Sequence, residues 1–227
     1  MTKMIFFLQF SLILLIFVIP PLFVNFSDNL TIDFSKFNFF ILPNLLLALF
    51  LYFQERFQRK SEPQGQNDGQ KALLWKAADY SGKCLLTFGC LALCAALFEL
   101  AALALKRSDL ENIILPSNFL EFLCCAFILF SSAFYEECLY RLYLPKALGT
   151  IGRSKNHPAL LWLAEAAAVL FFAFSHRYQG MLALFNALIC GIILRISFVK
   201  SKSLWPPFVA HLAYNAAALL FHALVAG

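Results

Sequence analysis

Five side chains able to move protons or donate hydrogen bonds lie inside apolar sequence. They are Glu136 and Glu137 in FYEECLYRLYL (134–144), His176 in FFAFSHRYQG, and His211 with Asn215 in WPPFVAHLAYN. A carboxylate with no compensating charge is a candidate general base. An imidazole beside a carboxamide is a pair of donors suited to a developing oxyanion. On a helix of 3.6 residues per turn Glu137 and Arg141 are i and i+4, the order and spacing of an ion pair, while Glu136 points about 100° away. Arg141 can then neutralise Glu137 and leave Glu136 free to act. The same three residues would serve equally well as a buried salt-bridge network holding helices together. His211 and Asn215 share one helical face, where an interhelical hydrogen bond is the alternative to chemistry. His176, at a helix end before a glycine-containing break, reads on its own as an interfacial or capping residue.

These groups can meet only if their helices place them at similar depth. At about 1.5 Å per residue, Glu136 lies about 20 Å from the turn at Gly149 and His176 about 26 Å from Ala159. His211 lies about 14 Å from Lys202, with Pro206-Pro207 allowing a more extended approach. The other charges read more simply. Glu121 belongs near the interface, Glu99 to a leaflet close to Lys106 and Arg107, and Glu165 to a supporting or packing position. His157 and His222 receive no role.

The elements that must carry these residues follow from composition. The 227 residues are 61% hydrophobic and 14% charged, with 27 phenylalanines, and mean hydropathy is +0.74. That apolar share marks an integral membrane protein. A helical span needs about 20 mostly apolar residues, and such runs fall near 4–25, 37–54, 83–105, 117–145, 158–176, 180–198 and 204–226. The fold class expected is therefore all-α, a polytopic transmembrane bundle of about seven spans, or eight if the fourth run breaks. The first run has no A-x-A-like cleavage site after it and reads as a retained helix.

The polar stretch Gln54 to Lys71 divides the chain. The expected domains are two N-terminal helices (1–54), a cytoplasmic loop (55–82) and a five-helix bundle (83–227). Net charge is +5, but the basic residues form no stripe, so a nucleic-acid partner is not expected. They read as topology signals. With Lys3 inside, most Lys and Arg, from Arg56 to Lys83 and again at Lys146, Arg153, Arg195 and Lys200, fall on that side, while Lys36, Lys106, Arg107 and Arg177 fall opposite. The N-terminus is thus expected inside. The seven cysteines all fall in the apolar runs and suggest no disulfide framework.

Glu136-Glu137-x-x-x-Arg141, Phe172-x-x-x-His176 and His211-x-x-x-Asn215, on successive apolar helices and in that order, resemble the signature of the CAAX-protease and bacteriocin-processing (CPBP, Abi-like) intramembrane proteases. The resemblance covers about residues 117–227, and Tyr140-Arg141-Leu142 departs from the Phe-Arg-Gly that bacterial members often carry. It implies a multi-pass protein of the bacterial cytoplasmic membrane and a glutamate-dependent endopeptidase. Its substrate would be a membrane-anchored or hydrophobic protein, prenylated or with a C-terminal anchor. By the same resemblance Glu136 activates water with His176, His211 and Asn215 form the oxyanion site, and Glu137, Arg141 and Phe172 support them. Two histidines and a glutamate could bind zinc. The chain has no H-E-x-x-H, however, and a water between Glu136 and His176 needs no metal, so no cofactor is expected. The alternative function is a catalytically silent binding or immunity protein using the same polar cavity. A proton-coupled transporter would show inverted repeats and paired broken helices, which this sequence lacks.

Overall fold

In lipid an apolar run must satisfy its own backbone hydrogen bonds, which a helix does. The computed structural model describes residues 3–24, 31–39, 41–60, 70–105, 112–151 and 158–226. Among them lie helices α1 (Lys3–Leu22), α2 (Ile41–Lys60), α3 (Gln70–Ala104), α4 (Phe119–Ile151), α5 (Pro158–Ser175), α6 (Met181–Ser201) and α7 (Trp205–Ala226). Each coincides with one of the seven expected runs. Six are long and apolar enough to cross a membrane. The exception is α2, whose last turns carry Glu55, Arg56, Arg59 and Lys60. The fourth run does not break. It continues as one helix through a π-helical stretch, Glu137–Tyr143. Leucines 85, 86, 93, 97 and 100 on α3 are exposed along such a span, so lipid solvates them.

The loop expected over 55–82 is shorter than its polarity suggests. Residues 54–60 extend α2 and residues from 70 onward begin α3, because Gln, Glu, Lys and Arg are good helix formers. Residues 61–69 of that expected loop lie outside the described residues.

The two N-terminal helices share a core with the later ones. Ile13, Val18, Ala48 and Leu51 pack in one cluster with Ala133, Phe134, Leu139, Phe172 and Phe208. Proline geometry explains part of this docking. Pro21 has no N–H to give to the carbonyl four residues back, and that orphaned oxygen, Phe17 O, accepts from the Tyr135 hydroxyl at 3.2 Å. A π-helical stretch, Leu14–Val18, precedes the two prolines. The residue next to Glu136 therefore anchors α1. Gln9 and Gln54 exchange two hydrogen bonds, of 3.0 and 3.1 Å, between α1 and α2. Thr87 and Ser197 share a hydrogen bond of 2.8 Å between α3 and α6. Each such interhelical bond contributes about 1 kcal/mol in a membrane.

A second buried cluster joins Leu91 and Cys94 of α3, Cys190 and Leu194 of α6, and Ala210 of α7. All seven cysteines are free. Strands β1 (Thr31–Asp33) and β2 (Asn112–Ile114) form a three-residue parallel pair, Thr31 opposite Asn112. This pair ties the segment before α2 to the segment before α4.

Candidate active site

The π-helical stretch of α4 begins at Glu137, immediately after Glu136. Such local widenings of a helix are frequent at functional sites. Glu137 is fully buried and Arg141 is 2% exposed. Arg141 Nε lies 3.5 Å from Glu137 Oε2, so the expected pair is present. It is not the closest contact of Glu137. Glu137 Oε1 is 2.9 Å from Nδ1 of His211 on α7, and the Arg141 guanidinium sits 3.9 Å above the ring of Phe172 on α5.

His211 stands between both glutamates. Its Nε2 is 3.7 Å from Glu136 Oε2, and the other Glu136 oxygen accepts from Ser132 at 3.1 Å. As a carboxylate, Glu137 can only accept, which puts a hydrogen on His211 Nδ1. Nε2 then faces Glu136. Glu137 fixes the ring, leaving Nε2 to exchange a proton or donate a hydrogen bond.

His176 follows the last turn of α5. Its Nδ1 lies 2.8 Å from the Phe172 carbonyl and 3.3 Å from Ser175 Oγ. A carbonyl only accepts, so Nδ1 carries the hydrogen and Nε2 of the neutral ring presents a lone pair. The His176 and His211 rings both flank Phe172, at centroid distances of 4.7 and 6.3 Å, and Tyr140 meets it at 5.4 Å. Phe172 is therefore the hub on which the cation and both imidazoles rest. Gly191 on α6 permits this placement, since a Cβ there would come 2.9 Å from Phe172 Cδ1.

The structure thus brings Glu136, Glu137, Arg141, Phe172, His176 and His211 into one neighbourhood. No hydrogen bond or ion pair joins His176 to Glu136. Asn215 sits one turn beyond His211 on α7, half-buried, and its carboxamide has no hydrogen-bond partner among the described residues.

The remaining intramembrane acids have structural partners or lipid-facing positions. Glu121 caps α4, accepting from Ser117 and Asn118 while Asn118 accepts from its backbone N–H, a reciprocal capping arrangement. Glu165 forms a two-pronged pair with Arg195 of α6. Arg195 in turn donates to the Arg141 carbonyl at 2.6 Å. Glu99 is exposed. Sequence reasoning missed Ser132, although its spacing four residues before Glu136 carried the signal. It also missed Arg195 and Gly191, for which no local signal exists.

Among the described residues no three His, Cys, Asp or Glu side chains are grouped as ligands for a metal ion. Both imidazoles have Nδ1 committed to a protein acceptor.

No curated protein and no solved structure matches this chain. Residues 117–217 match the family described as type II CAAX prenyl endopeptidase Rce1-like, a stretch that spans all three motifs from Glu136 to Asn215. Residues 117–217 are therefore similar to an Rce1-like CAAX prenyl endopeptidase domain, and the six candidate spans make the chain a multi-pass membrane protein.

Proposed function

We propose that the protein is an intramembrane endopeptidase whose Glu136 activates the water that attacks the substrate's peptide bond. Ser132 holds one oxygen of Glu136, and the other oxygen takes the water's proton. The Nε2 lone pair of His176 shares that water. His211 Nε2 and the Asn215 carboxamide are the donors to the tetrahedral oxyanion, where aligned donors contribute about 2.7–4 kcal/mol each in other hydrolases. Glu137 acts through His211 by holding Nδ1, and Arg141 keeps Glu137 in place. The substrate is a membrane-associated protein, prenylated or held by a C-terminal anchor. The N-terminus lies inside, in keeping with the basic residues. The near end of α1 (Phe6), the far end of α2 (Gln58) and the far end of α4 (Lys146) line one cavity on that side.

The observation that carries this reading is His211 held between the two glutamates, at 2.9 Å from Glu137 and 3.7 Å from Glu136. The test is Glu136→Gln, an isosteric change that removes the base and keeps the Ser132 hydrogen bond. Cleavage of membrane precursors, followed by comparative proteomics, is expected to stop, while the variant inserts and accumulates like the parent. Full cleavage by Glu136→Gln would overturn the mechanism. An unchanged cellular phenotype despite lost cleavage would favour the silent binding protein.

A further inference from the structure

Arg195 uses all three nitrogens of its guanidinium. Nε and Nη2 hold the two oxygens of Glu165 on α5, and Nη1 donates to the Arg141 carbonyl of α4 at 2.6 Å. A guanidinium is a rigid planar fork, so the two-pronged grip of Glu165 fixes where Nη1 points. The side chain is 15% exposed, and its Cζ lies 5.1 Å from the ring of Phe198. The bond to Arg141 joins α6 to the backbone stretch that carries both glutamates.

The Arg141 carbonyl needs such a donor. In an α-helix it would accept from the N–H of residue 145, but that residue is Pro145, which has none. The turns before it are π-helical, Glu137–Tyr143, and the Leu144 N–H reaches five residues back to the Leu139 carbonyl. Helix α1 repeats the arrangement. There a π-helical stretch, Leu14–Val18, runs into Pro21, and the freed Phe17 carbonyl is taken by Tyr135 of α4. In both helices a widened turn meets a proline, and a side chain from another helix takes up the exposed oxygen. Prolines and π-bulges are the usual causes of helix distortion.

The register held in this way decides how Glu137 divides its oxygens. An arginine and a carboxylate one helical turn apart pair readily, and their strongest arrangement is two parallel bonds. Here Arg141 meets Glu137 through Nε at 3.5 Å, while its Nη1 and Nη2 have no hydrogen bonds. Glu137 Oε1 is thereby left to His211 Nδ1 at 2.9 Å. The offset of Arg141 keeps Glu137 on His211.

We infer that Arg195 is a positioning residue for the cleavage reaction: by holding the Arg141 carbonyl it keeps α4 in the π-helical register in which Glu137 orients His211. The inference rests on the endopeptidase reading above. Glu165 shares the task as the group that aims Arg195.

The test follows turnover of a farnesylated CAAX peptide in detergent micelles, with kcat taken per folded protein. Arg195→Met is expected to lower kcat about 10²-fold, the effect of a small misplacement at a working site, with KM unchanged. Adding Pro145→Ala gives the Arg141 carbonyl an N–H. The double variant is expected to resist SDS unfolding better than Arg195→Met yet to stay more than about tenfold below the parental kcat, because the new bond draws α4 into α-helical register. Thr87→Val, which removes a different contact of α6, is expected to keep the parental kcat. Amide hydrogen exchange over residues 137–144 is expected to quicken in Arg195→Met and not in Thr87→Val. Parental kcat in Arg195→Met overturns the inference, as does a rise in KM in place of the fall in kcat. A double variant that regains kcat along with stability overturns it too, since Arg195 would then only satisfy a carbonyl. A double variant no more stable than Arg195→Met, or Thr87→Val as slow as Arg195→Met, has the same consequence. A parent that cleaves nothing defeats the peptidase reading alone; quickened exchange in Arg195→Met then leaves the hold on α4 standing, and unchanged exchange overturns it.

Discussion

Glu137→Leu separates the two tasks assigned to that residue. The carboxylate is fully buried, 3.5 Å from Arg141 Nε and 2.9 Å from His211 Nδ1. Removing it strands Arg141, which is 2% exposed and whose Nη1 and Nη2 already lack hydrogen bonds. The cation then keeps only the face of Phe172, 3.9 Å away. Breaking a buried pair from one side costs about 3–5 kcal/mol, whereas replacing both partners by apolar groups is often neutral. Glu137→Leu should therefore lose about 3–5 kcal/mol of stability, and Glu137→Leu/Arg141→Met should recover to within about 1 kcal/mol of the parent. Cleavage should be absent in both, because neither restores the acceptor that orients His211. Unfolding by SDS in mixed micelles, followed by circular dichroism, reads the first quantity, and turnover of a farnesylated peptide reads the second. A double variant no more stable than the single one would refute the ion-pair account. A double variant that cleaves at the parental rate would refute the role of Glu137 in holding His211.

Gly191→Ala is expected to cost about 1–3 kcal/mol and to slow cleavage. Its methyl would meet Phe172 at 2.9 Å, inside ordinary contact, and Phe172 carries Arg141 and both histidines; parental stability and turnover would remove Phe172 as the hub. Glu165→Gln should cost about 1 kcal/mol, since that pair is partly exposed and so partly screened. Arg195→Met should cost more in the same unfolding measurement, because it also removes the donor to the Arg141 carbonyl. Cleavage is expected to persist in excess chelator, because a water between Glu136 and His176 needs no metal to act as nucleophile. Activity lost to chelation and restored by zinc would overturn the metal-free mechanism.

Intramembrane charge is legible in a sequence because it is expensive, and that is why Glu136, Glu137, Arg141, His176 and His211 could be singled out before any helix was placed. Their partners were not legible. Helical spacing says which residues share a face but not which helix that face meets. Hence spacing pairs Glu137 with Arg141, four residues on, and gives no sign of His211, 74 residues away. The Glu165–Arg195 pair and the contact of Gly191 with Phe172 were hidden for the same reason. The seven helices were legible from run length alone, whereas the boundary of the polar loop was not, because Gln54 to Lys60 is as compatible with helix as with loop.

On sequence alone, a buried salt-bridge network explained FYEECLYRLYL as well as a working site did. The two readings differ in what they require of hydrogen bonds. A network kept for stability should pair its buried members, as Gln9 with Gln54 and Thr87 with Ser197 do elsewhere in this bundle. Around Glu136 the opposite holds: Glu136 Oε2, Glu137 Oε2, Arg141 Nη1 and Nη2 and Ser131 Oγ are all buried without a hydrogen-bond partner. Each such group costs about 1–3 kcal/mol, and native proteins tolerate the expense chiefly where function requires it. Five orphaned atoms on residues 131–141 of one helix are poor construction for a strut, and they suit a site whose hydrogen bonds tighten only when substrate binds.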